Sequence, residues 1–355
     1  MLMELSVRKL KNVLGLATVV SMLSVALFGC KETNNAPDVT EVKVQLHTQR
    51  LDQDIANIDT ANISAGIQQV RAKYPDFLEF YLDTLIGMGI NGNYTAENPA
   101  ISTGLRSFLT HKDYRGLFDT VAKHYPDTKD IDAQLVKSFQ YAKHYEPDFK
   151  EPHVIYMITW LNKWAAFTYD STLGICLDMF LGPNYPIYKA VDIPKYLAVQ
   201  LDRNYIPVAS MKAIYRDKHP FILEDRTLLD MMIQKGKEAY YLENVLPFLP
   251  EALRLGYTED QLKWCYANEA LVYNFFIREN FLYERNQQKV MRYVIESQSS
   301  TGMPEQSPGN IGTWLGLQII HSYLLANPKT TFQELLNSNM DAQKFLQASK
   351  YKPKG

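Results

Sequence analysis

Hydrophobic residues recur along most of the chain at the spacing of an α-helix. From Ile63 onward, apolar positions such as Ile63, Ile67 and Val70 fall three or four residues apart, which places them on one face of a helix. Proline and glycine residues interrupt this spacing and mark the ends of several predicted helices. The predicted helices cover residues 63–74, 78–86, parts of 101–125, 130–146, 195–201, 208–217, 226–246, 259–280, 310–326 and 331–346.

Three segments have patterns typical of β-strands instead. Over residues 42–46, valine and leucine alternate with lysine and glutamine, which is the period of a strand with one buried face. Residues 153–162 and 172–182 are largely apolar and rich in β-branched and aromatic side chains. The chain is therefore predicted to have a predominantly helical α+β fold, with a small β-sheet and surrounding helices.

Capping boxes mark the start of two predicted helices. Thr258 is followed three residues later by Gln261, and Thr331 is followed in the same way by Glu334. In this pattern the two side chains satisfy backbone N–H groups that the first helical turn leaves free.

Two glycines on the helix predicted at 310–326 indicate a close helix contact. Gly312 and Gly316 lie four residues apart, so they share one face and leave room for another helix. We expect the helix at 226–246 to fill this gap and Trp314 to lie in the core beside it.

The first residues have the three-part layout of a secretory signal. Arg8, Lys9 and Lys11 form a basic region, and residues 14–28 are almost entirely apolar. This run of about 15 residues is shorter than the roughly 20 that a stable transmembrane helix needs. The segment is therefore predicted to be cleaved off rather than to remain in the membrane.

A cysteine at the cleavage point distinguishes this signal from an ordinary one. Leu27, Gly29 and Cys30 fit the lipobox of bacterial lipoproteins, whereas Phe28 is larger than the usual residue at its position. The alternative is a plain signal peptide followed by an incidental cysteine. We expect cleavage between Gly29 and Cys30, and acylation of Cys30 by diacylglycerol and an amide-linked fatty acid such as palmitate.

These features divide the chain into three parts. Residues 1–29 are the predicted lipoprotein signal peptide, residues 30–40 a flexible lipid-anchored tether, and residues 41–355 a single, mostly helical globular domain. Removing the signal takes the formal net charge from −2 to −4. A mildly acidic protein offers no electrostatic case for binding nucleic acid. Cys176 and Cys265 remain, either paired or as buried free thiols.

No motif for catalysis or for a cofactor is present. The seven histidines never fall at HxH or HxxxH spacing, and the sequence lacks HExxH, GxSxG, a P-loop and GxGxxG. Asp178 is the one acid inside an apolar predicted strand, where it marks either a site or a satisfied structural contact. His321 lies in an apolar helix and is expected to be a core histidine. We predict no metal site and no cofactor.

Several segments along the chain together match one known family. They are the lipobox, RLDQDI from Arg50, KYPDF from Lys73, LDMFLG from Leu177, LLDMMIQKGKEAYYLENVLP from Leu228, QLKWCYANE from Gln261, PGNIGTWLGLQII from Pro308 and DAQKFLQASKYKPK from Asp341. In these segments the sequence resembles the gliding-motility lipoproteins of Bacteroidetes, the GldB family. The resemblance implies a cell-envelope lipoprotein needed for surface gliding, linked to type IX secretion and without an established enzymatic activity.

A more distant resemblance is to gluzincin-type zinc proteases with the metal ligands lost. In those enzymes a strand pair precedes an HExxH helix, and a following helix supplies an acidic ligand just before a glycine. Here the corresponding helix reads IPVASMKAIYRDK from Ile206 and has no histidine pair, and Lys235 stands before Gly236. This resemblance implies a degenerate gluzincin-like metalloprotease frame, that is, a pseudo-protease.

Two functions from different classes follow. The first is a non-enzymatic, lipid-anchored envelope protein that binds a protein partner in a motility or secretion complex. The alternative is an envelope hydrolase whose active site is built from scattered residues and would contain Asp178, Glu238, Glu269 and His321. Lys31, rather than Asp, follows the acylated cysteine, which favours the outer over the inner membrane, with the domain facing the periplasm or the surface.

Overall fold

The fold contains a four-stranded mixed sheet, and helices surround it. The computed structural model describes residues 36–162 and 164–354; the predicted signal peptide, Gly29 and Cys30 lie outside the described residues. The strands run in the order β1, β2, β4, β3, with β1, β2 and β4 parallel and β3 antiparallel to β4. Their bounds are β1 Thr48–Arg50, β2 His153–Met157, β3 Ala166–Tyr169 and β4 Thr172–Cys176.

The predicted first strand is wrong in position. Residues 42–46 show the expected alternation of exposure, but no strand pairs with them, and β1 begins only at Thr48. Side chains of the helix Lys129–Tyr145 hydrogen-bond to the backbone carbonyls of this segment instead. Gln140 donates to the carbonyl of Val42, and Lys143 donates to the carbonyl of Lys43. The period-two pattern therefore identified an extended segment but not its hydrogen-bonding partner.

The two other predicted strands form but are shorter than expected. The strand predicted at 153–162 ends at Met157, and the one predicted at 172–182 ends at Cys176, followed by a 3-10 turn over Leu177–Phe180. Asp178 therefore lies just beyond the strand. Strand β3 was not predicted; it pairs with β4 through a two-residue turn in which Asp170 has a φ of 49°.

Helices make up most of the remainder, which confirms the predominantly helical α+β prediction. Most predicted helices form, but the one predicted at 259–280 breaks at Asn268 and the one at 331–346 breaks after Asn337. Residues 195–201 are 3-10 rather than α-helical. The α-helices are α1 Leu51–Ala56, α2 Ile63–Lys73, α3 Arg106–Thr110, α4 Lys112–His124, α5 Lys129–Tyr145, α6 Pro186–Ala190, α7 Ile206–Lys218, α8 Leu228–Val245, α9 Glu251–Leu255, α10 Glu259–Ala267, α11 Glu269–Arg278, α12 Gln287–Val290, α13 Ile311–Ala326, α14 Phe332–Asn337 and α15 Ala342–Ser349.

Short helical segments of other types join these α-helices. The two π-helical segments are Phe80–Leu85 and Ala100–Leu105, and the further 3-10 segments are Lys195–Leu201, Arg203–Tyr205 and Met291–Tyr293. From Asp38 onward the described residues form one compact unit. Val39, within the segment predicted as a tether, is buried. No helix among the described residues meets the length and hydropathy needed to cross a membrane.

Both predicted capping boxes are confirmed. Thr258 accepts from the Gln261 N–H while Gln261 accepts from the Thr258 N–H, and Thr331 and Glu334 do the same. A third box, which was not predicted, begins α8: Thr227 pairs with Asp230. An aspartate in place of the usual Glu or Gln explains why the sequence pattern did not reveal it.

Helices α8 and α13 pack backbone against backbone at two glycines. A Cβ atom on Gly316 would lie 1.9 Å from the Met232 carbonyl oxygen, and one on Gly236 would lie 2.4 Å from the Gly316 carbonyl carbon. Trp314, on the same helix as Gly316, is fully buried. These observations confirm the close helix contact and the core position of the tryptophan. Cys176 and Cys265 are both buried and unpaired.

From this contact we predict that even alanine at position 316 destabilises the fold. Alanine normally stabilises a helix interior by about 0.5–1 kcal/mol relative to glycine. For Gly316→Ala we expect a loss of about 1–3 kcal/mol instead, because the new methyl group would force α8 and α13 apart, and Gly316→Leu should cost at least as much.

The matched control is Gly116→Ala in α4, where the glycine is exposed and a Cβ atom would meet nothing within 4 Å. That variant should gain stability. Denaturant unfolding measures both free energies of unfolding, and an unchanged value for Gly316→Ala would contradict the close contact.

Candidate functional site

The four residues of the predicted hydrolase pocket have separate surroundings. No hydrogen bond or ion pair joins any two of Asp178, Glu238, Glu269 and His321 among the residues the structure describes. Glu269 begins α11 and accepts a hydrogen bond from the Tyr351 hydroxyl at 2.8 Å. The structure therefore gives no support for a shared site built from these four side chains.

Asp178 is held by backbone donors. Its carboxylate is fully buried and accepts from the Thr159 N–H at 3.2 Å and from the Leu161 N–H at 2.7 Å. Burial raises the pKa of this carboxyl to about 6, although the backbone hydrogen bonds favour the charged form. Asp178 thus connects the loop after β2 to the turn after β4. Of the two interpretations that the sequence allowed, a functional site or a satisfied structural contact, these hydrogen bonds support the structural contact.

His321 is not a core histidine. Its side chain is 35% exposed, and its Nε2 lies 2.7 Å from a carboxylate oxygen of Glu243 on α8. Although α13 is buried along most of its length, its C-terminal turns reach the surface, and His321 lies where that exposure begins. An apolar local sequence could not reveal this change, because exposure depends on which helices cover α13.

A large open cleft lies between strand β3 and helix α7. Its volume is about 780 Å³, which is within the range of ligand-binding clefts. Four consecutive residues, Ala165 to Thr168, line one wall. Since side chains of a strand alternate between its faces, a run of consecutive lining residues means that the wall is the backbone edge of β3.

The outer edge of β3 has no hydrogen-bonding partner. The Cys176 N–H donates to the Ala165 carbonyl, so in the antiparallel ladder residues 165, 167 and 169 face β4. Ala166 and Thr168 therefore direct their backbone N–H and C=O groups away from the sheet. No described residue hydrogen-bonds to these outward groups.

Large apolar side chains stand exposed around the cleft. Trp164 is 50% exposed, Tyr196 38% and Ile295 40%, and all three line the cleft. Exposed aromatic and aliphatic side chains that gather at one concave surface are typical of a binding site. This rim is therefore suited to cover the apolar side chains of a bound segment.

Helix α7 supplies the floor of the cleft. Ala209, Lys212, Ala213 and Arg216 line the cleft together. Residues 209 and 213 are four apart, as are 212 and 216, so these side chains lie on one side of the helix. The two alanines leave space, and the two cations project from the same face. The opposite face of α7, including Met211 and Ile214, is buried.

A charge cluster lies under this floor. Arg216 donates to both oxygens of Glu238 on α8, at 2.7 and 2.8 Å, and Lys235 lies 3.9 Å from the same carboxylate. Burial alone would raise the pKa of the Glu238 carboxyl, but the surrounding cations lower it to about 2. Glu238 is therefore an ionised, structural partner of these cations, and a general acid of ordinary pKa is not available here.

Positive charge exceeds negative charge in this cluster. A small cavity behind the cleft is lined by Lys212, Lys235 and Arg254 and by the carboxylates of Glu238 and Glu296. Arg254 donates to the carbonyls of Leu246 and Leu249, so the cations around Glu238 are Lys212, Arg216 and Lys235, and they face the two carboxylates of Glu238 and Glu296. Among the described residues, no group of three or more His, Cys, Asp or Glu side chains could hold a metal ion. The arrangement is suited to holding an anionic group.

Sequence reasoning identified only part of this site. Glu238 and Lys235 were named, but Lys212, Arg216 and the edge of β3 were not. The signal that could have found the cations is the spacing Lys212 to Arg216, four residues apart on an otherwise apolar helix. No sequence signal showed that Glu296, 58 residues beyond Glu238, joins the same cavity.

The buried carboxyl of Asp178 predicts a pH-dependent stability. Because its pKa is about 6 in the folded chain and 3.8 for an ordinary aspartate, its contribution to stability is present below pH 3.8 and is lost as pH rises through 6. Relative to Asp178→Asn, the wild type should lose up to about 3 kcal/mol of unfolding free energy between about pH 4 and pH 7. Denaturant unfolding of both proteins across this range checks the difference, and parallel profiles would contradict it.

The comparisons with known proteins give one result. A family model described as gliding motility protein GldB matches residues 32–353, which include both walls of the cleft. Comparisons with curated proteins and with solved structures gave no match. Since the family model covers most of the sequence, this chain belongs to the gliding motility protein GldB family.

Proposed function

We propose that this chain is a lipid-anchored cell-envelope component of the gliding motility machinery, linked to type IX secretion, that binds a protein partner and catalyses no reaction. The family match supports the motility role. The observation that carries the binding role is the unpaired edge of β3 along a large cleft. An unpaired strand edge offers backbone hydrogen bonds to an extended segment of another protein.

The chemistry of the floor supports a binding role over a hydrolytic one. Lys212 and Arg216 have the i, i+4 spacing that two histidine ligands have on a protease helix, and Lys235 stands where the acidic ligand would be. All three side chains reach one cluster around Glu238. We propose that a gluzincin-like frame has exchanged its metal ligands for cations, which turned a cleavage site into a binding site.

The anchor is proposed from the lipobox. Acylation of Cys30 would attach the chain to a membrane facing the periplasm or the surface, with the outer membrane favoured by Lys31. The segment after the cysteine is polar and would hold the binding cleft away from the bilayer. The proposed assignment is therefore a signal peptide over residues 1–29, a tether from residue 30, and a binding domain that begins at Asp38, because Val39 is already buried.

Cys30→Ser tests the anchor directly. Serine lacks the thiol that accepts the diacylglycerol, so labelling with radioactive palmitate should be lost, while the thermal midpoint of unfolding stays unchanged. Cys265→Ala removes a buried thiol but keeps Cys30, and it should label normally. A Cys30→Ser protein that still incorporates palmitate would contradict the proposal.

Thr168→Pro tests binding at the edge of β3. Proline removes the outward N–H of residue 168 but no hydrogen bond of the ladder to β4, so the fold should tolerate it. Thr168→Val keeps the N–H and serves as the control. In a crosslinking pull-down from the native envelope, wild type and Thr168→Val should capture the same partner, and Thr168→Pro should lose it. Equal capture by both variants would place the interface elsewhere.

A further inference from the structure

One cation on the floor of the cleft has no carboxylate partner among the described residues. Arg216 and Lys235 already share Glu238, whereas Lys212 has no carboxylate within ion-pair distance. Its ammonium donates to the Tyr205 hydroxyl at 2.7 Å, which uses one of three donors. Incompletely neutralised cations in a partly buried site cost free energy, and a ligand that brings negative charge lowers this cost.

Lys212 is well placed to meet a bound segment. It lies on the floor that faces the cleft, while the outward backbone groups of Ala166 and Thr168 form the wall. Burial lowers the pKa of Lys212, but Tyr205 and the nearby carboxylates outweigh this effect and raise it. The ammonium is therefore charged at neutral pH and available to an anion.

The walls also limit how much negative charge the cleft accepts. Asp217 and Glu296 line it as well, so a polyanion such as nucleic acid would meet two carboxylates. A single carboxylate paired with Lys212 would meet less of that repulsion than a polyanion. The apolar rim of Trp164 and Ile295 in turn favours a segment whose neighbouring side chains are hydrophobic.

We infer that the cleft recognises an extended protein segment in which one acidic side chain, flanked by apolar residues, pairs with Lys212. This inference rests on the proposed function, because it requires a segment lying along β3. It adds the chemistry by which the partner is chosen: backbone pairing along β3 gives affinity for any extended chain, and the ammonium selects a carboxylate.

The test uses the full chain, purified in detergent, to select from a phage-displayed library of random dodecapeptides. Wild type should enrich peptides with Asp or Glu at one position between apolar residues. The strongest binder is then synthesised in two forms, with the acid and with its matching amide. Wild type should bind the acidic form at least about tenfold more tightly.

Lys212→Gln is the decisive variant. It leaves Glu238 paired with Arg216 and Lys235, so its thermal midpoint should stay close to that of the wild type. It should bind both peptide forms equally, at the affinity that the wild type has for the amide form. Lys212→Arg should restore the preference for the acid. Lys123→Gln, which removes an exposed positive charge on α4 outside the cleft lining, should change nothing.

The remaining outcomes distinguish a failure of the acidic-residue inference from a failure of the proposed strand addition at β3. Peptides that bind without any preference for an acid, or with a preference that Lys212→Gln retains, would overturn the inference while strand addition at β3 stands. Peptide binding that Thr168→Pro leaves intact, or no enrichment of any peptide, would overturn both.

Discussion

The contact between Gly236 and Gly316 is the constraint on which the rest of the structure depends. It brings α8 and α13 together at backbone distance, so the position of one helix is determined by the other. Lys235 and Glu238 flank Gly236 on α8, and the glycine contact therefore also positions the charge cluster. Packing in the core and electrostatics at the cleft are two consequences of the same helix placement.

The cleft combines two features that a stable fold usually avoids. One is a strand edge without a partner, and the other is a partly buried lysine, Lys212, with no carboxylate of the described chain within ion-pair distance. Each is unfavourable in isolation. Together they lie on opposite sides of one open volume, so one occupant could satisfy both. Elsewhere the described chain satisfies its buried charges locally, as Asp178 does with two backbone N–H groups.

The sequence could predict interactions between residues that are close along the chain, but not those between distant segments. Helical spacing and capping boxes are local, and they were confirmed at Thr258 and Thr331. The close contact at Gly316 was predictable because Gly312 and Gly316 lie on one helix face, but Gly312 itself lies nearest the carbonyl of Tyr293 rather than the backbone of α8. Strand β3 is only four residues long and owes its existence to pairing with β4, so no local pattern revealed it. The charge cluster joins residues from α7, α8 and the segment after α12, whose meeting depends on tertiary structure.

The charge of Lys212 also affects whether copies of this chain associate with each other. An exposed edge strand is a natural template for pairing with an identical strand, which leads to dimers or aggregates. Two copies joined through β3 would bring two Lys212 ammonium groups toward one shared seam, where like charges repel. The proposed lipid anchor would crowd copies on a membrane surface, which would favour such self-pairing. The same lysine that would attract an acidic partner thus works against self-association.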